Sequence, residues 1–519
     1  MASELIGKSL VDRLYQHGRV RSEIPALQDP STVLTWKDLD AITNRIANAL
    51  LAAGLQHGSR VALIADSSVR TATLILGTLK AGMSAVPVPA MIGAAAIARV
   101  VIDSGAKLLF VSSDLRQHVT QELLESSIRR IATDFSTPDW PGLTEFLAGS
   151  RDSRPDVTVR PEDEFNVIYS SGTTGRPKGI VHTHALRTHS AVTLGAIAFP
   201  PGVRTLTSTA LYSNYTMGAM TYTLWAGGCV RLLGKFSVGA LLQVAREFRP
   251  HNVYLVPTQI VRLLGSDELA AHRGLLPACI KWSAGSYLSA ESKRALLDSW
   301  PGGLLELYGM TEGAPTTLLI AHERPDKLHT VGCSAIPEDI KIIDENDAEV
   351  PVGVRGEIVG RVRSVMSGYN NDDAATTALL WHDKDGVAYF RSGDIGVLDN
   401  ERFLQVTDRK KDMIISGGFN IYASDLEEVL LSHPEVAEAA VFAVASRRWG
   451  ETPGAVAVLK PGASMSAAQL RAWANSRLGR LQHLAIVAIA DQLPRGALDK
   501  VLKRELRAQY AYLADQLEE

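Results

Sequence analysis

Helical and strand-like apolar patterns alternate near the N-terminus, and this alternation limits the fold more than any other feature. Apolar residues recur at helical spacing over 39–55, a strand-like run follows at 60–65, and another helical pattern ends at Gly82. Further strand-like runs occupy 84–90 and 107–113. Repeated β-α-β units predict mostly parallel sheets covered by helices, so the expected fold class is α/β.

The length of the chain predicts more than one domain, because 519 residues exceed what a single hydrophobic core usually supports. Shorter strands with turn signals at 341–351 and 356–362 indicate a β-rich subdomain. A charged segment at 408–412 then separates two apolar runs and is the best candidate linker. We expect a large domain over 1–408, a hinge at 409–412 and a small α+β domain over 413–519.

Composition excludes several functional classes. A net charge of −3 and a pI near 6.5 argue against nucleic acid or an anionic membrane surface as a partner. Cys229, Cys279 and Cys333 are far apart, which indicates neither a zinc site nor a disulfide framework. The least charged stretch, 71–98, contains Lys80 and two prolines, so no transmembrane segment is predicted. Charges throughout the first 18 residues argue against a secretory signal, and we expect a cytoplasmic protein.

The chemistry of the chain is most visible in the segment YSSGTTGRPKG at 169–179. Its glycines let backbone N–H groups converge on one anion, its four hydroxyl side chains add donors, and Lys178 adds a cation. The spacing does not fit a Walker loop, because the hydroxyls precede the lysine. Apolar runs on both sides favour a loop between strands over a flexible linker. The segment is predicted to bind phosphate.

This loop resembles the signature of the acyl-adenylate-forming (AMP-binding) superfamily, [ST]-S-G-[ST]-T-G-x-P-K-G, at every position. Four more segments resemble its later motifs, in the same order: YGMTEG at 308–313, YFRSGDIG at 389–396, DRKKDMIISGGFNIY at 408–422 and LPRGALDKVLKREL at 493–506. The resemblance covers most of the chain and is closest to the acyl- and aryl-CoA ligase branch, which includes chlorobenzoate, coumarate and fatty-acid CoA ligases. It implies that ATP and an acid form acyl-AMP and diphosphate, after which coenzyme A gives acyl-CoA and AMP.

The resemblance implies a role for each matching residue of the nucleotide site. The glycine loop and Lys178 would hold the β- and γ-phosphates, Thr311 would donate to the α-phosphate, and Glu312 would bind Mg²⁺. Tyr308 would stack on adenine, and Glu306 would accept from its amine. The implied ATP and AMP set is Ser171, Gly172, Thr173, Thr174, Gly175, Gly285, Glu306, Tyr308, Gly309, Thr311, Asp394 and Arg409.

Three further positions complete the implied catalytic apparatus. Asp394 would accept from the ribose, Arg409 would contact the ribose or a phosphate, and Lys500 would bridge the carboxylate and the α-phosphate during adenylation. A lysine suits this role because it is a point charge on a flexible stem. Asp499 departs from the superfamily's usual glycine before this lysine, and its charge should keep the ammonium protonated. Lys411 occupies the pivot position on which the small domain of relatives turns.

The implied coenzyme A site is less complete. Glycines at 417–418 leave room for a thiol arm beside the backbone. Relatives often carry a Lys/Arg-rich segment before the catalytic lysine, whereas 480–490 contains only Arg480 and His483 as candidates. How the 3′-phosphate is bound therefore stays open. The implied set is Ser416, Gly417, Gly418, Arg447, Arg448, Trp449 and His483.

The implied acyl pocket contains no charged side chain, which disfavours amino acids because an α-ammonium would lack a partner. Its members are Tyr212, Ser213, Asn214, Met217, Thr258, Gln259, Ala284, Gly285, Gly309 and Met310. Ser213 stands where relatives carry a gating histidine or aromatic ring. We expect an acid with an uncharged tail, either aromatic or medium- to long-chain aliphatic. His182 and His184 lack further metal ligands nearby and are interpreted as structural or as lying near the nucleotide.

Three alternatives remain open at this point. The chain could load a carrier protein instead of free coenzyme A, act as a luciferase-like oxygenase, or be a binding protein of the same fold that has lost catalysis. The presence of Lys178, Glu312, Asp394 and Lys500 together argues against the last. A homodimer is possible on this reading.

Overall fold

The computed structural model describes residues 9–90, 92–170, 177–416, 419–446, 448–495 and 501–512. Packing divides the chain into two compact units. The first contains Met1–Ala335 and Arg361–Phe390, and the second contains Ile336–Gly360 and Arg391–Glu519. The hinge expected at 409–412 thus lies inside the second unit, and its role as a pivot stays a prediction.

The described helices are numbered in chain order. They are α1 (Leu10–Val20), α2 (Trp36–Ala52), α3 (Val69–Lys80), α4 (Ala94–Asp103), α5 (Gln121–Glu125), α6 (Leu143–Phe146), α7 (His184–Ala198), α8 (Asn214–Trp225), α9 (Val238–Phe248), α10 (Pro257–Leu264), α11 (Asp267–Ala271), α12 (Ala290–Ser299), α13 (Asp373–Ala378), α14 (Ala423–Leu431), α15 (Ala467–Asn475) and α16 (Lys503–Gln509). No helix in the described part of the chain is long and apolar enough to cross a membrane.

The described strands are numbered in the same way. They are β1 (Pro25–Gln28), β2 (Val33–Thr35), β3 (Arg60–Ile64), β4 (Ser84–Pro87), β5 (Leu108–Val111), β6 (Arg129–Ala132), β7 (Glu164–Ser170), β8 (Lys178–Thr183), β9 (Arg204–Thr207), β10 (Cys229–Leu232), β11 (Asn252–Leu255), β12 (Cys279–Ala284), β13 (Gly302–Gly309), β14 (Thr316–Ile320), β15 (Ile340–Ile343), β16 (Gly356–Arg361), β17 (Gly368–Tyr369), β18 (Leu380–His382), β19 (Ala388–Leu398), β20 (Leu404–Arg409), β21 (Ile414–Ser416), β22 (Phe419–Ile421), β23 (Val436–Ser446), β24 (Gly450–Leu459) and β25 (Ile486–Ile489).

Two mostly parallel sheets form the first unit, which confirms the predicted fold class. Among described residues the first sheet has the order β14-β13-β12-β11-β9-β10-β1-β2, and only its two edge strands are antiparallel. The second sheet has the order β17-β8-β7-β4-β3-β5-β6, in which β8 and β17 are antiparallel additions. The carboxyl ends of neighbouring parallel strands meet at one edge, where α/β proteins bind ligands.

Helix α3 explains the weakly charged stretch of the sequence. Every residue of this helix except Arg70 is buried, as expected for a helix that is apolar on all sides. Its one buried cation, Lys80, is paired with Asp40 at 2.6 Å and donates to Asn44 Oδ1 at 2.8 Å. The pairing permits a lysine in the core, because a buried charge requires a partner.

The second unit is richer in antiparallel strands. Strand β15 pairs antiparallel with β16, and β20 pairs antiparallel with β19. From Ile414 onward a separate sheet, β22-β21-β24-β23 with β25 on β24, is covered by a core that includes Leu426, Leu430, Val441 and Leu470. The C-terminal segment therefore has its own hydrophobic core, in line with the α+β module expected there.

Buried histidines make the stability of the first unit sensitive to acid. His184 is 2% exposed and meets the Phe165 ring edge-on at 5.0 Å, and burial lowers its pKa from 6.5 to about 4. Between these values the unfolded chain binds a proton that the folded chain does not. The free energy of unfolding should therefore fall by up to about 3 kcal/mol from this group as pH drops from 6.5 to 4. Melting curves of wild type and His184→Leu at pH 7.5, 6 and 5 check this, and an equally steep decline in the variant would contradict it.

Candidate active site

Strands β7 and β8 bring the two ends of the glycine-rich loop together. They pair in the register Tyr169↔Gly179 and Ser170↔Lys178, so the apolar runs beside the loop are strands, as predicted. Ser171, Gly172, Thr173, Thr174 and Gly175 lie outside the described residues. Lys178 Nζ lies 4.6 Å from the centre of the Tyr369 ring. The cation predicted for phosphate binding is therefore placed by β8 beside an aromatic face.

Glu312 follows the end of β13 and is fixed from two sides. Its side chain is buried, and its Oε1 accepts a hydrogen bond from Tyr369 Oη at 2.6 Å. Its main-chain carbonyl accepts from Met366 N at 2.9 Å. Tyr369 thus touches both Lys178 and Glu312, although it lies 57 positions from Glu312. The sequence carried no signal for this residue, because the contact joins distant segments.

The carboxylate of Glu312 fits a Mg²⁺ ligand. Tyr369 occupies one of its oxygens, and Oε2 has no hydrogen bond to any described residue. Mg²⁺ in phosphate sites is usually held by one or two carboxylates together with substrate phosphates. No group of three or more His, Cys, Asp and Glu residues that could hold a metal ion occurs in the ranges that the structure describes. The arrangement therefore suits an ion that the nucleotide helps to bind.

Removing the Tyr369 hydroxyl should weaken this arrangement without abolishing it. Partners that orient a ligand typically change metal affinity or activity about 10- to 100-fold when they are lost. We expect Tyr369→Phe to raise the Mg²⁺ concentration needed for half-maximal acyl-AMP formation about tenfold. Tyr510→Phe, which alters a buried tyrosine of the second unit, is the control. An unchanged Mg²⁺ requirement in Tyr369→Phe would show that the hydroxyl does not orient the carboxylate.

Glu306 is buried more deeply than expected for a residue that contacts adenine at the protein surface. It is 3% exposed and forms an ion pair with Lys293 of α12. Lys293 Nζ also donates to the carbonyls of Leu328 and Thr330 at 2.8 Å each. Burial raises the pKa of Glu306 to about 7. In the described structure the carboxylate joins β13 to α12, and its contact with adenine stays a prediction.

The candidate acyl positions line one edge of the first sheet, because they sit at or just beyond the carboxyl ends of β9, β11, β12 and β13. Tyr212, Ser213 and Asn214 follow β9, with Met217 in the first turn of α8; Thr258 and Gln259 follow β11; Ala284 and Gly285 close β12; Gly309 ends β13, and Met310 and Thr311 follow. Tyr308, the predicted adenine platform, is the last residue but one of β13. The fold therefore gathers the candidate acyl residues, Tyr308 and Thr311 at a single edge of the first sheet.

Two polar side chains of this edge are used internally. Ser213 caps α8: its Oγ accepts from Thr216 N at 3.2 Å and donates to Ala210 O at 2.9 Å. Gln259 Oε1 accepts from Val256 N and Ser208 Oγ, and its Nε2 donates to Ser208 O. Both side chains fix loops, so they offer a bound acid few free hydrogen-bonding groups.

Asp394 and Arg409 meet in the second unit. The two residues face each other across β19 and β20, and Arg409 Nε lies 2.9 Å from Asp394 Oδ1. Asp394 is 5% exposed, whereas Arg409 is half exposed. Two residues that the resemblance assigns to the nucleotide are therefore neighbours.

The expected hinge is a short 3₁₀ turn over Lys410–Asp412. The carbonyl of Lys411 accepts from Arg507 Nη2 at 3.3 Å, which ties the turn to α16. Burial lowers the pKa of Lys411. Lys500 lies outside the described residues, and its catalytic role stays a prediction.

The predicted coenzyme A residues divide between described and undescribed positions. Ser416 is buried and pairs in register with Gly450, next to Trp449. The Trp449 ring is 44% exposed, and Arg448 lies 4.8 Å from its centre. His483 is exposed just before β25. Gly417, Gly418 and Arg447 lie outside the described residues.

The His182 ring forms a hydrogen bond to the motif at 308–313, whereas no described contact joins the His184 side chain to that motif. The His182 ring bonds through Nε2 to the carbonyl of Thr311 at 2.7 Å, whereas His184 packs on Phe165. The interpretation of the pair as structural or near the nucleotide agrees with these contacts.

Comparison with known proteins extends these observations over the whole chain. A sequence profile described as AMP-binding enzyme matches residues 14–370, and one described as AMP-binding enzyme C-terminal domain matches residues 425–500. The chain is 31% identical to a feruloyl-CoA synthase of an Amycolatopsis species, over 95% of this chain and 98% of that protein. It is 28% identical to the long-chain-fatty-acid–CoA ligase FadD13 of Mycobacterium tuberculosis, over 96% and 98%. The solved o-succinylbenzoate CoA synthetase from Bacillus subtilis, in complex with its acyl-adenylate intermediate, is 26% identical with a TM-score of 0.80, over 95% and 97%.

Proposed function

Because the chain belongs to the family of AMP-binding enzymes and is an AMP-forming acid–CoA ligase, we propose that its substrate is an uncharged-tail carboxylic acid, preferably an aromatic one. The residues at the edge of the first sheet support this proposal. There the candidate acyl positions are uncharged, and the polar groups of Ser213 and Gln259 are engaged in loops and caps. A charged tail would lack a partner, which is costly in a buried site.

The preference for an aromatic acid has support from the relatives. A feruloyl-CoA synthase acts on an aromatic acid by name, whereas FadD13 is named for long-chain fatty acids.

In the first half-reaction the acid attacks the α-phosphate of ATP, and diphosphate leaves. We assign Lys178 and the glycine loop to the β- and γ-phosphates, and Thr311 to the α-phosphate. Glu312, oriented by Tyr369, would hold Mg²⁺, which neutralises charge on the phosphates. Lys500 then stabilises the charge that develops at the α-phosphate.

In the second half-reaction the thiol of coenzyme A attacks the acyl carbonyl, and AMP leaves. We assign the thiol arm to the segment at 416–418 and the nucleotide of coenzyme A to the exposed Trp449 ring. The register pair Ser416↔Gly450 supports this assignment, because it places the two segments side by side within the second unit.

The proposed contact of Asp394 with the ribose of ATP can be tested with a variant of this residue. Asp394→Asn keeps the shape of the side chain but removes its charge, and a hydrogen bond to a charged group is worth about 1.5–3 kcal/mol. We expect the KM for ATP to rise at least about tenfold, while the ranking of acids stays the same. Steady-state kinetics with three acids checks this. A reordered acid preference at unchanged KM for ATP would place Asp394 in the acyl pocket instead.

An acid panel tests the proposed substrate class. AMP release and thioester formation would be measured with benzoic, cinnamic, octanoic, palmitic and succinic acids and with an amino acid, each with and without coenzyme A. We expect the highest kcat/KM with an aromatic acid and none with the amino acid or the dicarboxylate. Preference for palmitate would contradict the aromatic proposal. Adenylate formation without transfer to free coenzyme A would favour a carrier protein as acceptor.

A further inference from the structure

Three buried polar side chains connect the strands beside the glycine loop to the main chain of Thr311. Arg187 donates through Nε and Nη2 to Asn166 Oδ1 at 3.1 and 2.9 Å, and through Nη2 to His182 Nδ1 at 2.9 Å. His182 Nε2 lies 2.7 Å from the carbonyl oxygen of Thr311. Asn166, His182 and Arg187 are 0%, 1% and 4% exposed. We call these three residues the Arg187 relay.

The partners of His182 fix the position of its ring hydrogen. A guanidinium can only donate, so Nδ1 of His182 must accept from Arg187. The hydrogen therefore sits on Nε2 and is donated to Thr311 O. Burial and the charge of Arg187 hold the pKa of His182 well below its usual range. The ring thus remains neutral and keeps one tautomer.

Burying the Arg187 relay costs more free energy than packing apolar side chains at the same place would. Arg187 is fully enclosed, and no carboxylate of a described residue forms an ion pair with it. Burying a charge without an opposite charge is unfavourable, and an apolar side chain would fill the same space at lower cost. Such a group is a candidate for a functional role when it lies next to a site.

The positions of the relay residues indicate what this functional role is. Asn166 and His182 face each other across β7 and β8, the strands that enter and leave the glycine loop. Arg187 holds both side chains, and His182 reaches the segment that contains Thr311 and Glu312. The relay therefore joins two segments on different sheets of the first unit.

We propose that His182, locked by Arg187 and Asn166, is a positioning residue that sets the spacing between Lys178 at the start of β8 and the Thr311–Glu312 segment, and so determines how tightly ATP is bound. This inference rests on the proposed function only in that both segments contact ATP. It concerns nucleotide binding, and it needs no particular acid.

Titration calorimetry with Mg·ATP and no acid tests the relay. His182→Leu leaves Thr311 O without its donor, and we expect ATP binding to weaken about tenfold. A glutamine amide can both donate to Thr311 O and accept from Arg187, so His182→Gln should stay within about threefold of wild type. His17→Leu is the matched control, since His17 is also buried and bonds through Nε2 to a main-chain carbonyl, that of Trp225 at 3.1 Å. It should bind ATP like wild type.

A double variant separates the relay from a general loss of stability. Because Arg187 acts through His182, His182→Leu combined with Arg187→Met should lose no more than about twofold beyond His182→Leu alone. Wild-type affinity in His182→Leu, an equal loss in His17→Leu, or fully additive losses in the double variant would each overturn the inference. A wild type that binds ATP but activates no acid would contradict the proposed function and leave the relay intact.

Discussion

Lys500→Ala is expected to slow acyl-AMP formation by about 10²–10³-fold, the usual cost of losing one donor to developing negative charge. Transfer of the acyl group from preformed acyl-AMP to coenzyme A should change far less, because no bond to the α-phosphorus forms or breaks in that step. Rapid quenching with ATP and acid measures the first step, and mixing the enzyme with acyl-AMP and coenzyme A measures the second.

Arg504→Ala is the control for this variant, because Arg504 is an exposed cation on α16, a few residues further along the same segment. It should leave both rates unchanged. An equal loss of both half-reactions in Lys500→Ala would remove the role assigned to Lys500.

Glu312→Gln is expected to lower acyl-AMP formation more than 100-fold at a Mg²⁺ concentration that saturates the wild type, because outer-sphere partners alone account for about 10- to 100-fold. The amide can still accept from Tyr369 Oη, so the neighbouring structure should be retained. What is lost is the negative charge that a hard cation requires. The loss of rate as a function of Mg²⁺ concentration is the quantity to measure.

The comparison with Tyr369→Phe makes this expectation specific. A direct ligand should matter more than the residue that orients it, so Glu312→Gln must be the slower of the two variants. Wild-type activity in Glu312→Gln, or a smaller effect than that of Tyr369→Phe, would mean that Glu312 does not bind the metal.

The sequence predicted those parts of the fold that depend on local periodicity. The alternation over 39–113 corresponds to α2, β3, α3, β4 and β5 in the structure. Apolar residues at helical spacing form one buried face of a helix, and a continuous apolar run forms a buried strand. The weakly charged stretch at 71–98 became a buried helix and strand rather than a membrane span.

Contacts between distant segments could not be predicted in this way. Tyr369 and Glu312 meet only because β17 is the edge strand beside β8, and no local pattern encodes that neighbour. The ion pair of Glu306 with Lys293 of α12 likewise joins separate segments, and the contact of Glu306 with adenine stays a prediction. Arg187 has the sequence pattern of an ordinary helix cation, and only folding buries it against β7 and β8.

We expect this chain to activate an acid as an adenylate before coenzyme A takes part. The direct measurement is a two-stage quench, in which wild-type enzyme in excess of acid is mixed with Mg·ATP and the best acid of the panel, and coenzyme A is added later. We predict that bound acyl-AMP and an equal amount of diphosphate form before coenzyme A is present, and that the adenylate then disappears as acyl-CoA and AMP appear. Formation of ADP and phosphate, or no diphosphate until coenzyme A is added, would contradict activation of the acid through an adenylate.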